Sequence, residues 1–262
     1  MSADKRYAII TPYWNEDRAL LERCIKSVRG QTVAADHLLV ADGLPQAWID
    51  REPVRHFKLD RTHGDYGKTP RGIGALIAVA EGYDAIGFLD ADNWFENDHV
   101  ESCLDAARGD AEGYDQCDYV VARRLFRRPD ESIMPLGEEP GHVDTNCFFL
   151  LRGSFYCVAN WATMPKELSV ISDRVFRDVL KSRGLRFASV QKRTVNYHCM
   201  WQSLYDALKE TPPEGAKPNV STRAIGPWLR TLPPRELEIV RRLAGIRLGA
   251  PEQQNQDAGP EE

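Results

Sequence analysis

Four short apolar runs alternate with two helical patterns over residues 7–89, and this order limits the folds that the chain can adopt. The apolar runs predict strands at 7–11, 37–41, 54–59 and 85–89, and the periodic stretches predict helices at 16–29 and 73–81. Strands separated by helices form parallel sheets through right-handed crossovers, with helices on both faces. The sequence therefore predicts an α/β fold with a mostly parallel central sheet flanked by helices.

The second half of the chain follows a looser pattern around a long polar loop at residues 127–140. Its predicted elements are helices at 98–107 and 173–182 and strands at 118–125, 145–151, 186–190 and 194–197. A Pro/Gly/Lys-rich linker at 211–218 precedes an amphipathic helix predicted at 234–248. We therefore expect a main domain at 1–210 (halves 1–95 and 96–210), a linker and helical extension at 211–249, and a disordered polar tail at 250–262.

The composition is that of an ordinary soluble protein rather than of a nucleic-acid binder. The 262 residues are 42% hydrophobic and carry a net charge of -5, whereas a nucleic-acid-binding chain usually has a basic excess. The six cysteines form no C-x-x-C pair, and no apolar run reaches the roughly 20 residues of a membrane span. The N-terminus lacks a signal-peptide pattern. We expect a cytoplasmic protein, at most peripheral at the inner face of a membrane, with no nucleic-acid partner.

Polar and aromatic residues follow three of the predicted strands, at the point where each strand ends. Parallel sheets bind ligands at the carboxyl ends of their strands, so the residues at these positions are the ones expected to contact a ligand. Taken singly, each fits a turn or a helix cap as well as a ligand site, but the three together favour a ligand site. The residues are Pro12, Tyr13, Asn15 and Glu16 after the first strand, Asp42 after the second, and Asp90 and Asp92 after the fourth.

Asp90 and Asp92 form a D-x-D pattern directly after a buried apolar run. In an extended segment residues i and i+2 share a face, so both carboxylates can reach one cation. Hard oxygen ligands suit Mg²⁺ or Mn²⁺, which typically bridge protein carboxylates and substrate phosphates. The pattern therefore predicts a divalent cation, Mn²⁺ or Mg²⁺, at the end of the fourth strand.

The order of four motifs along the chain resembles a known family. The segments YAIITPYWNED and LLVADG, a loop rich in Gly, Lys and Arg, and IGFLDADNWF resemble the nucleotide-sugar-binding half of family 2 glycosyltransferases with the GT-A fold, over about residues 5–200. The resemblance implies metal-dependent transfer of a sugar, with inversion, from a nucleoside diphosphate sugar to a hydroxyl group. A UDP-sugar is the favoured donor, and the acceptor is a glycan, a lipid-linked molecule or a small molecule.

This resemblance assigns roles to the residues that would hold the donor. Asp42 would accept a hydrogen bond from the N3–H of the base, which favours uracil or thymine. Pro12 and Tyr13 would face the base and the ribose. Lys68 and Arg71 would meet the diphosphate, with Arg71 favoured because a guanidinium forks onto phosphate oxygens. The full set of implied donor-binding residues is Pro12, Tyr13, Asn15, Glu16, Asp42, Lys68, Arg71, Asp90 and Ala91.

The resemblance also implies ligands for the metal and contacts for the acceptor. Asp92 would ligate the metal, and Asp90 would contact the metal, the ribose or both. A late histidine, His198, fits a further metal ligand and ordinary packing equally well. Trp94, which follows the acidic motif, and Asp144 are the acceptor candidates.

An inverting transfer needs a base that takes the proton of the acceptor hydroxyl. The family usually supplies it from a Glu-Asp pair at the start of a helix. Here Ser172 stands in place of the glutamate, so Asp173 alone is left for the role. Asp173 also suits a plain helix N-terminus, where an acidic residue is favourable without any catalysis. We take it as the base.

The helix predicted at 234–248 is both amphipathic and basic. Such a helix can lie on an anionic membrane, which would suit an acceptor carried on a lipid. It could equally pack on the domain or on the second subunit of a homodimer.

Two other classes stay open beside the glycosyltransferase. One is a nucleotidyltransferase that acts on a sugar phosphate, although such enzymes usually have a Gly-rich, basic signature where this chain has TPYWNED. The other is a non-catalytic nucleotide-sugar-binding protein, which the retention of the acidic residues argues against. A nicotinamide dehydrogenase is disfavoured because no G-x-G-x-x-G follows the first strand.

Overall fold

The computed structural model describes residues 5–108, 117–139 and 141–245, and within them eight strands form one mixed sheet. The strands are β1 (Tyr7–Tyr13), β2 (Asp36–Ala41), β3 (Arg55–Lys58), β4 (Ala85–Phe88), β5 (Trp94–Phe95), β6 (Tyr119–Arg127), β7 (Phe148–Leu151) and β8 (Phe187–His198). They lie in the order β3-β2-β1-β4-β7-β6-β8-β5 across the sheet.

Eight α-helices flank this sheet or follow it in the described part of the chain. They are α1 (Arg18–Arg29), α2 (Lys68–Ala80), α3 (His99–Arg108), α4 (Ala159–Thr163), α5 (Ser172–Ser182), α6 (Gln202–Leu208), α7 (Ile225–Thr231) and α8 (Pro234–Ala244). Short 3₁₀ turns lie at Ala47–Arg51, Thr145–Cys147, Arg152–Cys157 and Lys166–Ile171. The predicted α/β class, with a central sheet flanked by helices, is confirmed.

β1 is the centre of the parallel part of the sheet and is buried along its whole length. It pairs in parallel with β2 on one side and β4 on the other, and β3 extends the parallel set beyond β2. Because side chains alternate along a strand, Ile9 packs in the core on one face, whereas Ala8 and Ile10 pack in the core on the other. The two cores fix the register of β1 and hence the position of the turn that follows it.

The later strands make the sheet mixed and bring further residues to the same edge. β7 pairs antiparallel with β4 and with β6, and β8 runs parallel to β6. The carboxyl ends of β1, β2, β4, β6 and β8 therefore meet at the edge where β7 begins. This is the edge at which open α/β sheets bind their ligands.

Several elements differ from those predicted by the sequence. β8 is one strand where the pattern predicts two, because its register against β6 shifts between Val121 and Arg124 and interrupts the alternation. α2 begins at Lys68 rather than at residue 73, since Gly67 adopts a left-handed φ of +75° and caps it. Lys68 and Arg71 therefore lie in the first turns of a helix and not in a loop. β5, α4, α6 and α7 have no counterpart among the predicted elements.

α8 packs against α4 and α5, and α7 packs against the 3₁₀ turn at Lys166–Ile171. Val240 and Ala244 of α8 are buried in a cluster with Val175 of α5, and Trp228 of α7 packs against it. α8 ends at Ala244 rather than at residue 248, because Gly245 adopts a left-handed φ of +60°. Residues 246–262, which include the end of the predicted helix and the predicted disordered tail, lie outside the described residues. Among the described residues, no helix has the length and apolar character needed to cross a membrane.

Gly72 lets α2 approach α4 closely. A Cβ atom on Gly72 would lie 2.6 Å from the backbone nitrogen of Ala162 and 3.0 Å from Cβ of Trp161. We expect Gly72→Ala to lower the free energy of unfolding by roughly 2 kcal/mol, because overpacking outweighs the gain of about 1 kcal/mol in helix propensity. Urea unfolding measures this effect, with Gly137→Ala as the control because a Cβ there meets open space. An unchanged stability of Gly72→Ala would contradict the close packing of α2 on α4.

Candidate active site

A cavity of about 710 Å³ opens at the edge of the sheet where the carboxyl ends of the strands meet. One wall comes from the ends of β1, β2 and β4 and from the start of α2, and the other from the ends of β6 and β8, the segment before β7 and the start of α5. A smaller cavity of about 430 Å³ lies at the amino ends of β1 and β4, beside Tyr7 and Asp84. Because parallel sheets bind ligands at their carboxyl ends, the larger cavity is the candidate active site.

The larger cavity brings together most of the site residues predicted from the sequence. Those that line it are Pro12, Tyr13, Glu16, Asp42, Arg71, Asp90, Ala91, Asp92, Asp144 and Asp173. Asn15 is exposed and does not line it. Lys68 also lies off the cavity wall, in a buried ion pair of 3.3 Å with Asp65. Trp94 is likewise outside the lining, and the guanidinium of Arg23 covers its ring at 3.7 Å from the centroid.

Tyr13 forms a rigid part of the wall at the end of β1. Its side chain is 2% exposed, and its hydroxyl accepts a hydrogen bond from the Gln46 backbone N–H at 3.0 Å. The hydroxyl also forms a 2.7 Å hydrogen bond with Nε2 of His56. Burial raises the pKa of Tyr13 to about 12, so the phenol stays neutral at ordinary pH. A neutral, fixed aromatic ring is suited to contacts with a nucleoside.

Asp42 is buried at the end of β2 and is held by a histidine that sequence reasoning missed. Its carboxylate accepts the backbone N–H of His63 at 3.0 and 3.1 Å and forms a 2.6 Å contact with Nδ1 of the same residue. Its own N–H donates to the Tyr13 carbonyl at 2.7 Å. Asp42 therefore has a fixed position, and any base that bonds to it must share the carboxylate with His63.

Asp90, the first acid of the D-x-D pattern, belongs to a network that crosses the sheet. Its Oδ1 lies 2.5 Å from Nη2 of Arg71, and its Oδ2 accepts Nδ2 of Asn146 at 3.0 Å. Asn146 also accepts the Asp90 backbone N–H at 2.5 Å and donates to Asp144 Oδ1 at 2.6 Å. Arg124 pairs with the other oxygen of Asp144 at 3.3 Å. Asp144 thus lines the cavity while both its oxygens are held by neighbouring side chains.

Asp92, the second acid, has a different environment. Its Oδ2 lies 3.0 Å from Nζ of Lys217, and its carbonyl accepts Nη2 of Arg23 at 3.0 Å. Glu16 lines the same part of the cavity, and its carboxylate accepts the Trp14 backbone N–H at 2.7 Å. Burial raises the pKa of Glu16, and the nearby charge of Asp92 acts in the same direction. Among the described residues, this end of the cavity is therefore rich in carboxylates and contains the ammonium group of Lys217.

The donor groups near the D-x-D pattern supply only part of the ligand set of a divalent cation. Within the described residues, no group of three or more His, Cys, Asp or Glu side chains is arranged to hold a metal. Asp90 and Asp92 nevertheless line one cavity, and the ammonium of Lys217 already occupies a cation position beside Asp92. His198 donates its backbone N–H to Asn93 at 2.7 Å, and its buried Nδ1 has no partner in the described residues. The site therefore fits a cation that oxygen atoms of a substrate would help to ligate, since Mg²⁺ and Mn²⁺ commonly bind in this way.

Asp173 lies at the start of α5, on the wall opposite the ends of β1 and β2. Its Oδ2 forms a 2.6 Å hydrogen bond with Nε2 of His142, and its Oδ1 accepts the Arg174 backbone N–H at 2.7 Å. The side chains of His142 and Asp173 are 19% and 21% exposed, so the pair is largely shielded but reachable from the cavity. A carboxylate held in this way can accept a proton from a bound hydroxyl group.

Three side chains that organise the cavity do not stand out in the sequence: His63, Asn146 and Lys217. His63 lies in the Gly-rich loop, where its position next to Asp42 depends on the loop's path. Asn146 follows Asp144 by two residues directly before a strand, which is a weak signal for a shared face. Lys217 lies in a segment whose composition predicts only a linker.

Comparison with solved structures finds this fold in sugar transferases. The crystal structure of S. aureus TarS 1-349 in complex with UDP matches with a TM-score of 0.53 and 13% sequence identity, over 78% of this chain and 63% of that chain. The same TarS fragment in complex with UDP-GlcNAc matches at 0.52 and 11%, over 91% and 71%. GalNAc-T7 with UDP, GalNAc and Mn²⁺ matches at 0.57 and 15%, over 81% of this chain and 45% of that chain. The fold and its cavity therefore define the class, a GT-A-type α/β protein.

The sequence also identifies the family within that class. The model of glycosyl transferase family 2 matches residues 8–166, which is more than half of the chain. The chain belongs to glycosyl transferase family 2, so the family and the GT-A fold implied by the resemblance are confirmed. No curated protein matches the sequence. The family match ends before α5, so Asp173 and Lys217 lie beyond it.

Asn146 supplies a direct test of the network around Asp90. Its amide is fully buried, and its removal would leave the Asp90 backbone N–H and two carboxylates with fewer partners. We expect Asn146→Ala to lower the free energy of unfolding by about 2–3 kcal/mol, because unsatisfied buried polar groups retain their desolvation cost. Urea unfolding measures this loss. Asn219→Ala, an exposed amide outside the network, is the control, and equal stability losses in the two variants would contradict the role of Asn146.

Proposed function

We propose that the chain transfers a sugar from a nucleoside diphosphate sugar, with UDP-sugars favoured, to a hydroxyl group of an acceptor with inversion at the sugar carbon. The observation that carries the proposal is that Asp42, Asp90, Asp92 and Asp173 line one cavity at the carboxyl edge of the sheet. Family membership supports the reaction class. The donor class is supported by the UDP and UDP-GlcNAc bound to relatives in fold.

The donor would lie along the ends of β1, β2 and β4. Tyr13 offers a fixed neutral ring to the base and ribose, and Asp42 offers a carboxylate oxygen to the base N3–H beside His63. Arg71 lines the cavity at Asp90, and its Nε and Nη1 have no hydrogen-bond partner in the described residues. A guanidinium binds phosphate oxygens with fork geometry, so Arg71 would meet the diphosphate from the cavity wall. Lys68 is the weaker candidate because it pairs with Asp65 off the cavity wall, whereas Arg71 lines the cavity.

Asp92, together with Asp90, would hold Mn²⁺ or Mg²⁺, and oxygen atoms of the diphosphate would complete the ligand set. A bound cation would offset the negative charge that develops on the departing diphosphate. Support for a divalent cation comes from the Mn²⁺ in the GalNAc-T7 structure and from the oxygen donors of the two acids. His198 stays a predicted additional ligand. Burial lowers its pKa, so its imidazole is neutral and able to coordinate at pH 7.

Asp173 would act as the base on the acceptor side. It would take the proton of the acceptor hydroxyl while that oxygen attacks the sugar carbon and the bond to the diphosphate breaks. His142 would be a positioning residue, because its hydrogen bond to Oδ2 holds the carboxylate in one orientation. The acceptor, which is a glycan, a lipid-linked molecule or a small molecule, would enter beside α5. Asp144 stays a predicted acceptor contact, and Trp94 would need Arg23 to move before it could stack on a sugar.

The cellular location and the oligomeric state of the enzyme are also part of the proposal. We expect a cytoplasmic location, with peripheral contact at the inner face of the membrane and a homodimer as further proposals. Because Val240 and Ala244 of α8 are used in packing on the domain, a membrane contact through this helix would rest mainly on its basic residues.

A panel of UDP-, dTDP- and GDP-sugars with and without Mn²⁺ tests the donor and the cation together. We expect a UDP-sugar to raise the Tm more strongly with Mn²⁺, because a ligand that binds the native state stabilises it. Asp92→Asn should abolish the Mn²⁺-dependent part of the shift, since the amide carries no charge. Asp105→Asn, an exposed acid on α3, is the control and should behave as the wild type. If no nucleotide sugar raises the Tm in Mn²⁺, the proposal is wrong.

The role of Asp173 is tested by separating donor binding from turnover. We expect Asp173→Asn to lower kcat by about 100-fold or more and to leave UDP affinity unchanged, because the base acts only on the acceptor. His142→Gln should lower kcat by roughly tenfold to a hundredfold through misorientation of Asp173, again at unchanged UDP affinity. UDP release and calorimetric titration measure the two quantities. Asp178→Asn on α5 is the matched control, and an equal loss of UDP affinity and kcat in Asp173→Asn would reject its role as base.

A further inference from the structure

The segment between α6 and α7 runs along the cavity and lies outside the region matched by the family. Lys217, Val220 and Thr222 of this segment line the cavity. The backbone is fixed at Lys217, whose N–H donates to the Met200 carbonyl at 2.6 Å and whose carbonyl accepts the Gln202 N–H at 2.9 Å. The main chain at this position is therefore held to the end of β8, while the side chain reaches toward the acids of the cavity.

Lys217 and Arg71 neutralise the two acids of the D-x-D pattern in different ways. The guanidinium of Arg71 lies 2.5 Å from Asp90 and belongs to a side chain that is only 3% exposed. The ammonium of Lys217 lies 3.0 Å from Asp92, and its side chain is 48% exposed. A guanidinium buried in a network is fixed, whereas an ammonium on a half-exposed, flexible stem can exchange partners. Of the two cations, Lys217 is the one that a ligand can displace.

We propose that Lys217 is a donor-binding residue that works by exchange of counter-ions. Without a donor, its ammonium neutralises Asp92. When the divalent cation and the diphosphate bind, the cation takes the place of the ammonium at Asp92, and the ammonium pairs with the diphosphate. This inference deepens the proposed function and rests on it for the donor and the cation.

The charges around the cavity favour this exchange. Asp90, Asp92 and Glu16 line one region, and a diphosphate adds further negative charge to it. An ammonium displaced from Asp92 therefore stays in a strongly negative field, where a phosphate oxygen is its best partner. Because the backbone of Lys217 is anchored by two hydrogen bonds, the ammonium can move only by rotation of its own side chain. The same residue thus competes with the cation for Asp92 and cooperates with it in holding the diphosphate.

The exchange predicts opposite changes for two ligands in Lys217→Ala. Affinity for Mn²⁺ alone, measured by electron paramagnetic resonance without nucleotide, should rise about three- to tenfold because a competing cation is removed. Affinity for UDP at saturating Mn²⁺, measured by calorimetric titration, should fall about tenfold because a charged contact to phosphate is lost. Affinity for uridine should not change. Lys217→Arg should keep most of the UDP affinity, and Lys26→Ala, an exposed lysine on α1, is the matched control.

The outcomes separate this inference from its alternatives. A purely structural role of Lys217 would lower the affinities for Mn²⁺, UDP and uridine together, and that result would overturn the exchange. Unchanged affinities for both Mn²⁺ and UDP would overturn it as well. If the wild-type protein binds neither UDP nor a UDP-sugar in Mn²⁺, the proposed function itself fails. Urea unfolding of each variant shows whether a lost affinity reflects a loss of folded protein.

Discussion

The hydrogen bonds of Asn146 join the two walls of the cavity, and the rest of the site depends on them. Asp90 follows β4, Asp144 precedes β7, and these two strands pair antiparallel. The amide of Asn146 bonds to both carboxylates and to the Asp90 backbone N–H. It therefore fixes the end of the parallel part of the sheet against the start of the antiparallel part. A buried network of this kind is stable only when every member is satisfied, so its geometry leaves little freedom to the acids around it.

This constraint gives the two acids of the D-x-D pattern different properties. Both oxygens of Asp90 are engaged by buried groups, Arg71 and Asn146, so its carboxylate is anchored. Asp92 lies two residues further along, and its carboxylate is paired with the flexible side chain of Lys217. Breaking the pair at Asp90 would strand a buried guanidinium, which is costly, whereas the half-exposed pair at Asp92 is worth about 1 kcal/mol or less. Asp90 is therefore suited to holding the site in one geometry, and Asp92 is suited to binding an exchangeable ligand.

The sequence predicts the strand ends well because they depend on local patterns. Short continuous apolar runs locate β1, β2 and β4, as expected for strands buried on both faces, and the rule for parallel sheets then brings Tyr13, Asp42 and Asp90 to one edge. Positions set by distant contacts are not predictable in this way. Lys217 reaches Asp92 across 125 residues of sequence through a segment with no regular pattern. Lys68 and Arg71 are both basic, so the sequence does not distinguish their partners. Lys68 pairs with Asp65 and Arg71 with Asp90 because of the path of the preceding loop.

The two walls of the cavity also differ in how much of each lies within the residues matched by the family model. The region matched by the family ends at residue 166, after the strands that would hold the nucleotide. α5, which carries Asp173, begins beyond that point and packs on α8 through Val175 and Val240. The C-terminal helices therefore support the helix that carries the proposed base, and the segment before them supplies Lys217. One continuous stretch of chain after residue 166 therefore carries the proposed base, supports its helix and supplies Lys217 to the cavity, while the residues proposed to contact the base and the ribose, Tyr13 and Asp42, lie within the matched region.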